Sequence, residues 1–130
     1  MNLLIPTNKD DQEAIQHLQA ASQEQVLTVA KELLEWIEDG NWPVSYPIGQ
    51  VLSPYVNQLQ GELLPILSGY DAIWKMWCIY FIMKDAPVPQ LAPAYLVELT
   101  RIVEHPTLNE KLEGALEAAQ EVLAFWRSRE

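Results

Sequence analysis

The chain has 130 residues, 49% of them hydrophobic, which suits one domain with its own core and excludes intrinsic disorder. Eighteen acids against eight bases give a formal net charge of −10, a field that disfavours phosphate backbones and anionic lipid surfaces and favours a basic protein as partner. A single cysteine rules out an internal disulfide, and the longest apolar run, Ile73 to Met83, falls well short of the about 20 residues of a membrane span.

In chain order, residues 1–9 are expected to be an extended lead-in; with no basic leader ahead of an apolar stretch, the expected location is the cytoplasm. A first helix is predicted over 10–21, capped by Asp10 or Asp11, with Ala14, Ile15, Leu18 and Ala21 on one narrow face. Ser22 and Gln25 form a capping-box pattern, and Val26, Leu27, Val29, Ala30, Leu33, Leu34 and Ile37 then recur at helical spacing until Gly40. Pro43 suits a helix start, whereas Pro47 is expected to kink or restart that helix and Pro54 to bend its end. A compact helix carrying Leu63, Leu64, Ile66 and Leu67 follows Gly61 and closes at Ser68-Gly69. Asp71 is placed to cap the run Ala72–Met83, which is apolar nearly all round and so is expected at the centre of the domain. Prolines 87, 89 and 93 punctuate a connector. Tyr95, Leu96, Leu99, Ile102 and Val103 make another stripe up to His105-Pro106. Thr107 with Glu110 is a second capping box, opening a final helix with Leu108, Leu112, Ala115, Leu116, Ala119, Leu123 and Trp126.

The spacing contains a repeat. A shift of 30 positions lays Leu33, Leu34, Ile37, Asn41 and Leu52 on Leu63, Leu64, Leu67, Asp71 and Ile82, and a further shift of 36 lays Leu63, Ile66, Leu67 and Asp71 on Leu99, Ile102, Val103 and Thr107. The expected class is therefore all-α: a single domain, 1–130, of about six to seven helices, with hairpins at about 22–57, 61–85 and 93–128. Such spacing resembles the HEAT or armadillo pattern, a short right-handed stack of antiparallel helical hairpins. An irregular bundle with evenly spaced loops would show the same spacing. In a stack, the second helices (about 43–57, 71–85 and 107–128) lie side by side, and Asn41, Asp71 and Thr107 serve as their N-caps.

Catalytic signatures are absent. His17 and His105 lack a companion at ligand spacing, so no metal is expected, and His105 reads as a charge beside a helix carboxyl end. No glycine-rich phosphate loop or nucleophile elbow occurs, so no cofactor is expected. Cys78 sits in apolar surroundings that favour the thiol over the thiolate. Glu35, Glu38 and Asp39 share a helical face that Asp71 could approach, and carboxylates near Asp39 and Asp71 would be the acid and base of a small hydrolase-like enzyme; a solvated surface explains them more simply. Glu113, Glu117 and Glu121 form a like-charge stripe four residues apart. Aromatic residues gather at the inter-helix turns: Trp42 and Tyr46 at the first, Tyr70 and Trp74 at the second. Such residues dominate binding hot spots and also cores; Trp36, Trp77 and Phe81 are assigned to the core. The candidate partner-binding set is Glu38, Asp39, Trp42, Tyr46, Tyr70, Asp71 and Trp74, and the expected role is a non-enzymatic protein-binding module or a structural or regulatory protein.

The string Leu33-Leu34-Glu35-Trp36-Ile37-Glu38-Asp39-Gly40-Asn41-Trp42-Pro43-Val44, with Pro47, Leu52-Ser53-Pro54 and Ile73-Trp74-Lys75-Met76-Trp77-Cys78, resembles an uncharacterised family of small bacterial proteins classed as a domain of unknown function. The resemblance runs from about Ile5 into the last helix. It implies a cytoplasmic helical-repeat fold and no activity; small acidic proteins of this kind often act as immunity or inhibitor partners of toxins, an analogy rather than an inference from the residues.

Overall fold

A computed structural model describes residues 2–130, and every regular element in that range is helical. The elements are α1 (Gln12–Gln19), α2 (Gln23–Thr28), α3 (Ala30–Glu35), α4 (Ser45–Leu52), a 3₁₀ segment (Ser53–Leu59), α5 (Gln60–Leu67), α6 (Ala72–Cys78), a π segment (Ile79–Met83), α7 (Pro93–Glu104), α8 (Leu108–Leu112) and α9 (Ala115–Arg127). Residues 2–10 are folded into turns rather than extended: the Leu4 N–H donates to the Asn2 side chain, and the Lys9 carbonyl accepts the Val44 N–H.

Four starts follow the chemistry of their caps. The Asp11 carboxylate accepts the Ala14 N–H at 3.1 Å, and that of Asp71 accepts the Trp74 N–H at 3.0 Å. Ser22 with Gln25, and Thr107 with Glu110, close reciprocal capping boxes. Each such cap stabilises its helix by about 0.5–2 kcal/mol. Asn41 does not cap: its N–H donates to Asp39 Oδ1, and α4 begins later, behind Val44, with no side-chain cap. Pro47 causes no kink, because it falls in the first turn of α4, where a missing N–H leaves no bond unmade. Pro54 does bend its segment, which runs as 3₁₀ helix with a non-helical residue at Tyr55.

The segments outnumber the six or seven expected, because two of the predicted helices are broken. Val29 (φ −107°, ψ 10°) separates α2 from α3. Beside it the Thr28 hydroxyl donates to the Glu24 carbonyl at 2.8 Å, a back-bond that bends helices. The second break is Gly114, whose φ of +90° only glycine adopts without strain; it parts α8 from α9, and Leu108 and Leu112 consequently point to solvent rather than into the core. The central helix also changes gauge. The Lys84 N–H reaches back five residues to the Ile79 carbonyl, and the neighbouring carbonyls of Ile82 and Met83 accept the Ser53 hydroxyl (2.7 Å) and the Trp126 indole (2.9 Å).

Packing sorts the helices into two layers. In one, α3 meets α5 and α5 meets α7; in the other, the α6–π rod lies between α4 and α9. Within each sequential pair, α3 meets α4, α5 meets α6, and α7 meets α9. The core between the layers is continuous, from Ile15 and Leu33 through Leu52, Leu63 and Ile79 to Leu99 and Val122. Within it the Tyr95 hydroxyl donates to the Val56 carbonyl at 2.6 Å, and at its margin Asn57 clamps the proline-rich connector, donating to the Gln90 carbonyl and accepting the Ala92 N–H. Among the described residues no helix is long and apolar enough to cross a membrane.

Candidate functional site

Three stretches that start from local signals meet at one cleft of about 330 Å³: the end of α3, the end of α5, and the α5–α6 turn. Asp71 caps α6 and thereby sets the direction of its first turn, which carries Trp74 toward α3. There the Trp74 indole N–H donates to the Leu34 carbonyl at 2.8 Å, fixing the ring across the two helices. The apolar lining is Leu34, Pro65, Ile66 and Trp74; Glu35, Glu38, Glu62 and Asp71 surround it with carboxylates, and Lys31 is the base beside them. Tyr70 also lines the cleft but is 94% exposed, an aromatic ring left almost wholly in water. The volume is at the low end of the about 300–1,000 Å³ of small-molecule sites.

The electrostatics are those of excess negative charge, four acids against the one base Lys31. Partial burial pushes the Glu38 carboxyl above its ordinary value, and the nearby charges of Asp71 and Glu35 push it the same way. None of the four cleft acids takes part in an ion pair among the described residues. Nor does any group of three or more His, Cys, Asp or Glu in those residues stand close enough to hold a metal ion.

Of the residues singled out in the sequence, Glu38, Tyr70, Asp71 and Trp74 line this cleft. Asp39 does not: its carboxylate is turned to the Asn41 N–H, so the acid that faces Asp71 is Glu38. Trp42 packs edge-on to Trp36 at 5.8 Å, and Tyr46 edge-on to Phe81 at 5.3 Å, beyond which Phe81 meets Trp77. The turn aromatics therefore fall in three places: Trp42 against Trp36, Tyr46 against Phe81, and Tyr70 with Trp74 at the cleft. Trp36, Trp77 and Phe81 are half-buried rather than fully inside. A Cβ at Gly40 would overlap the Trp77 indole, so the chain passes directly beneath that ring. His17 and His105 are exposed, the latter closing α7 through its N–H to the Arg101 carbonyl. Cys78 is fully enclosed, and burial raises its thiol pKa, with the Asp71 charge adding to the effect.

One ionic cluster escaped the sequence reading. Glu110, fully buried, receives Lys75 Nζ at 2.7 Å, Arg101 Nη1 and Nη2 at 2.7 and 2.9 Å, and the Thr107 N–H at 2.8 Å. Arg101 also reaches Glu98 at 2.7 Å and the Leu67 carbonyl at 3.3 Å. Every partner of the carboxylate belongs to the protein itself, so the cluster reads as a tie between α6, α7 and α8. A lysine inside an apolar run was its signal, because a buried ammonium demands a buried acid.

Residues 4–123 match the family described as "Domain of unknown function (DUF5071)". No curated protein matches the chain. The match covers nearly its whole length, and the chain belongs to the DUF5071 family.

Proposed function

We propose that the chain is a non-enzymatic protein-binding module of the immunity or inhibitor type, whose cleft between α3, α5 and α6 receives a basic partner. The observation that carries this reading is the set of four carboxylates without ion-pair partners around an apolar concavity. Isolated surface acids need no explanation. Here burial and the charges of Asp71 and Glu35 raise the Glu38 carboxyl beside a concave apolar lining, and an incoming cation relieves that repulsion while the lining gains an apolar contact. Tyr70 stands where a partner would cover it.

We also propose a short HEAT- or armadillo-like stack of hairpins, supported by the two layers and the sequential pairing, and a cytoplasmic, bacterial setting, supported by the acidic composition and the lone buried cysteine.

Affinity capture from the native cell with the wild-type chain and an E35K/E38K/E62K variant, followed by mass spectrometry, tests the reading. The expected result is a basic protein enriched by the wild type and lost by a variant that retains its helical circular dichroism. Equal recovery on both would overturn it.

A further inference from the structure

The chain carries acids in three other settings, and their contrast with the cleft narrows the partner's chemistry. On α9, Glu121 is paired with Lys84 at 2.9 Å. In the buried tie, Glu98 and Glu110 are held by Arg101 and Lys75. Exposed Glu113 and Glu117, on either side of the break at Gly114, line none of the described cavities. In the cleft four carboxylates without ion-pair partners border a concave apolar lining that includes Trp74, whereas the cavity that Trp126 lines carries one acidic side chain, Glu130, with Arg129 beside it.

A ligand that used both features would need a cation on an apolar stem. A compact metal ion does not meet that description, and the carboxylates are not grouped to ligate one. An ammonium is a strongly hydrated point charge. A guanidinium is more weakly hydrated, stacks flat on an indole and presents a planar fork to carboxylates.

We propose that the cleft takes an arginine side chain flanked by apolar residues, presented by an extended segment of the partner protein. Its stem lies against Ile66 and Trp74, and its guanidinium meets Glu38 and Glu62. The flanking apolar residues cover the exposed Pro65 and Tyr70. This rests on the basic-partner reading above, and charge complementarity at the cleft is the argument for it.

The probe is the peptide acetyl-Leu-Arg-Leu-amide, titrated into the full-length ¹⁵N-labelled chain. Its citrulline counterpart, which keeps the shape and loses the charge, and its lysine counterpart are titrated in parallel. The arginine peptide is expected to move the Trp74 indole resonance and the Ile66 and Tyr70 amides, with the citrulline peptide about fivefold weaker or worse and the lysine peptide intermediate. E38Q/E62Q, checked by thermal melting to remain folded, is expected to weaken the arginine peptide by a similar factor. Equal binding of arginine and citrulline peptides, or no shifts at saturating peptide, would overturn the assignment. Shifts confined to Glu113, Glu117 and Glu121 would also overturn it while leaving a basic partner in place. Capture of a basic protein equally by wild type and E38Q/E62Q would separate the two in the same way.

Discussion

Lys75 Nζ and Glu110 Oε2 lie 2.7 Å apart, thirty-five positions from each other in the chain, with side chains 2% and 0% exposed. Glu110 is the buried residue of α8, whose two leucines face outward, so that helix is held to the body by charge rather than by apolar contact. The two partners should differ in what their loss does. E110A strands Lys75 in the core and removes the bidentate acceptor of Arg101, and should cost about 3–5 kcal/mol. K75M leaves Glu110 with both Arg101 bonds and the Thr107 N–H, so its cost should be clearly smaller, about 1–3 kcal/mol. Urea unfolding of both variants checks the order; equal losses would mean that Arg101 contributes little.

Acid should act on the same tie. Burial raises the Glu110 carboxyl, but the hydrogen bonds from Arg101 and Lys75 outweigh it and hold the group at about 2, below the ordinary carboxyl value of 4.5. A carboxylate whose folded pKa is depressed stabilises the fold above its unfolded pKa and loses that contribution as pH falls through its folded one, at about 1.4 kcal/mol per unit of depression. Stability should therefore drop between pH 4.5 and about 2, and E110Q should flatten that limb, as read from urea midpoints across the range. Glu38 works in the opposite sense: its carboxyl is raised, so protonation relieves repulsion and E38Q should not lower stability at neutral pH. That makes E38Q a usable probe of the cleft.

What the sequence could show, it showed through local chemistry. Asp11, Ser22, Asp71 and Thr107 each need only residues three positions away, and each caps as expected. The helix breaks at Val29 and Gly114 were missed for a different reason: apolar periodicity runs through them, and only the tertiary fit shows that Leu108 and Leu112 are off the core face. Four of the seven candidates line the cleft, three of them because the α5–α6 turn holds Tyr70, Asp71 and Trp74 close in sequence; Asp39, Trp42 and Tyr46 depend on how the α3–α4 loop folds, which no spacing encodes. The Lys75 tie needed three separate helices to be placed first.

Cys78 should be inert in the native protein. It is enclosed on all sides, and burial holds it as the thiol, whereas attack requires an accessible thiolate. Labelling by an aromatic disulfide reagent at pH 8 should be slow and should accelerate in urea in step with unfolding. Rapid labelling without denaturant would show that α6 opens locally.

Two glycines offer the same substitution with opposite expected signs. At Gly49, on α4, an added Cβ would lie 2.6 Å from the Phe81 Cβ and 3.0 Å from its carbonyl oxygen, so the π segment crosses α4 at glycine contact distance. Neither obstacle is the free end of a side chain; one is backbone and the other is fixed to it. G49A should therefore force α4 and the π segment apart and cost about 1–3 kcal/mol. Ser53, one turn on, should feel the same displacement, because its hydroxyl bond to the Ile82 carbonyl depends on that approach. At Gly61, within α5, an added Cβ meets nothing within 4 Å and the backbone is helical, so G61A should stabilise by about 0.4–1 kcal/mol by restricting the unfolded chain. Urea midpoints for the two variants test the crossing directly: if G49A were as harmless as G61A, α4 and the π segment would have to sit farther apart than the Ser53–Ile82 bond permits.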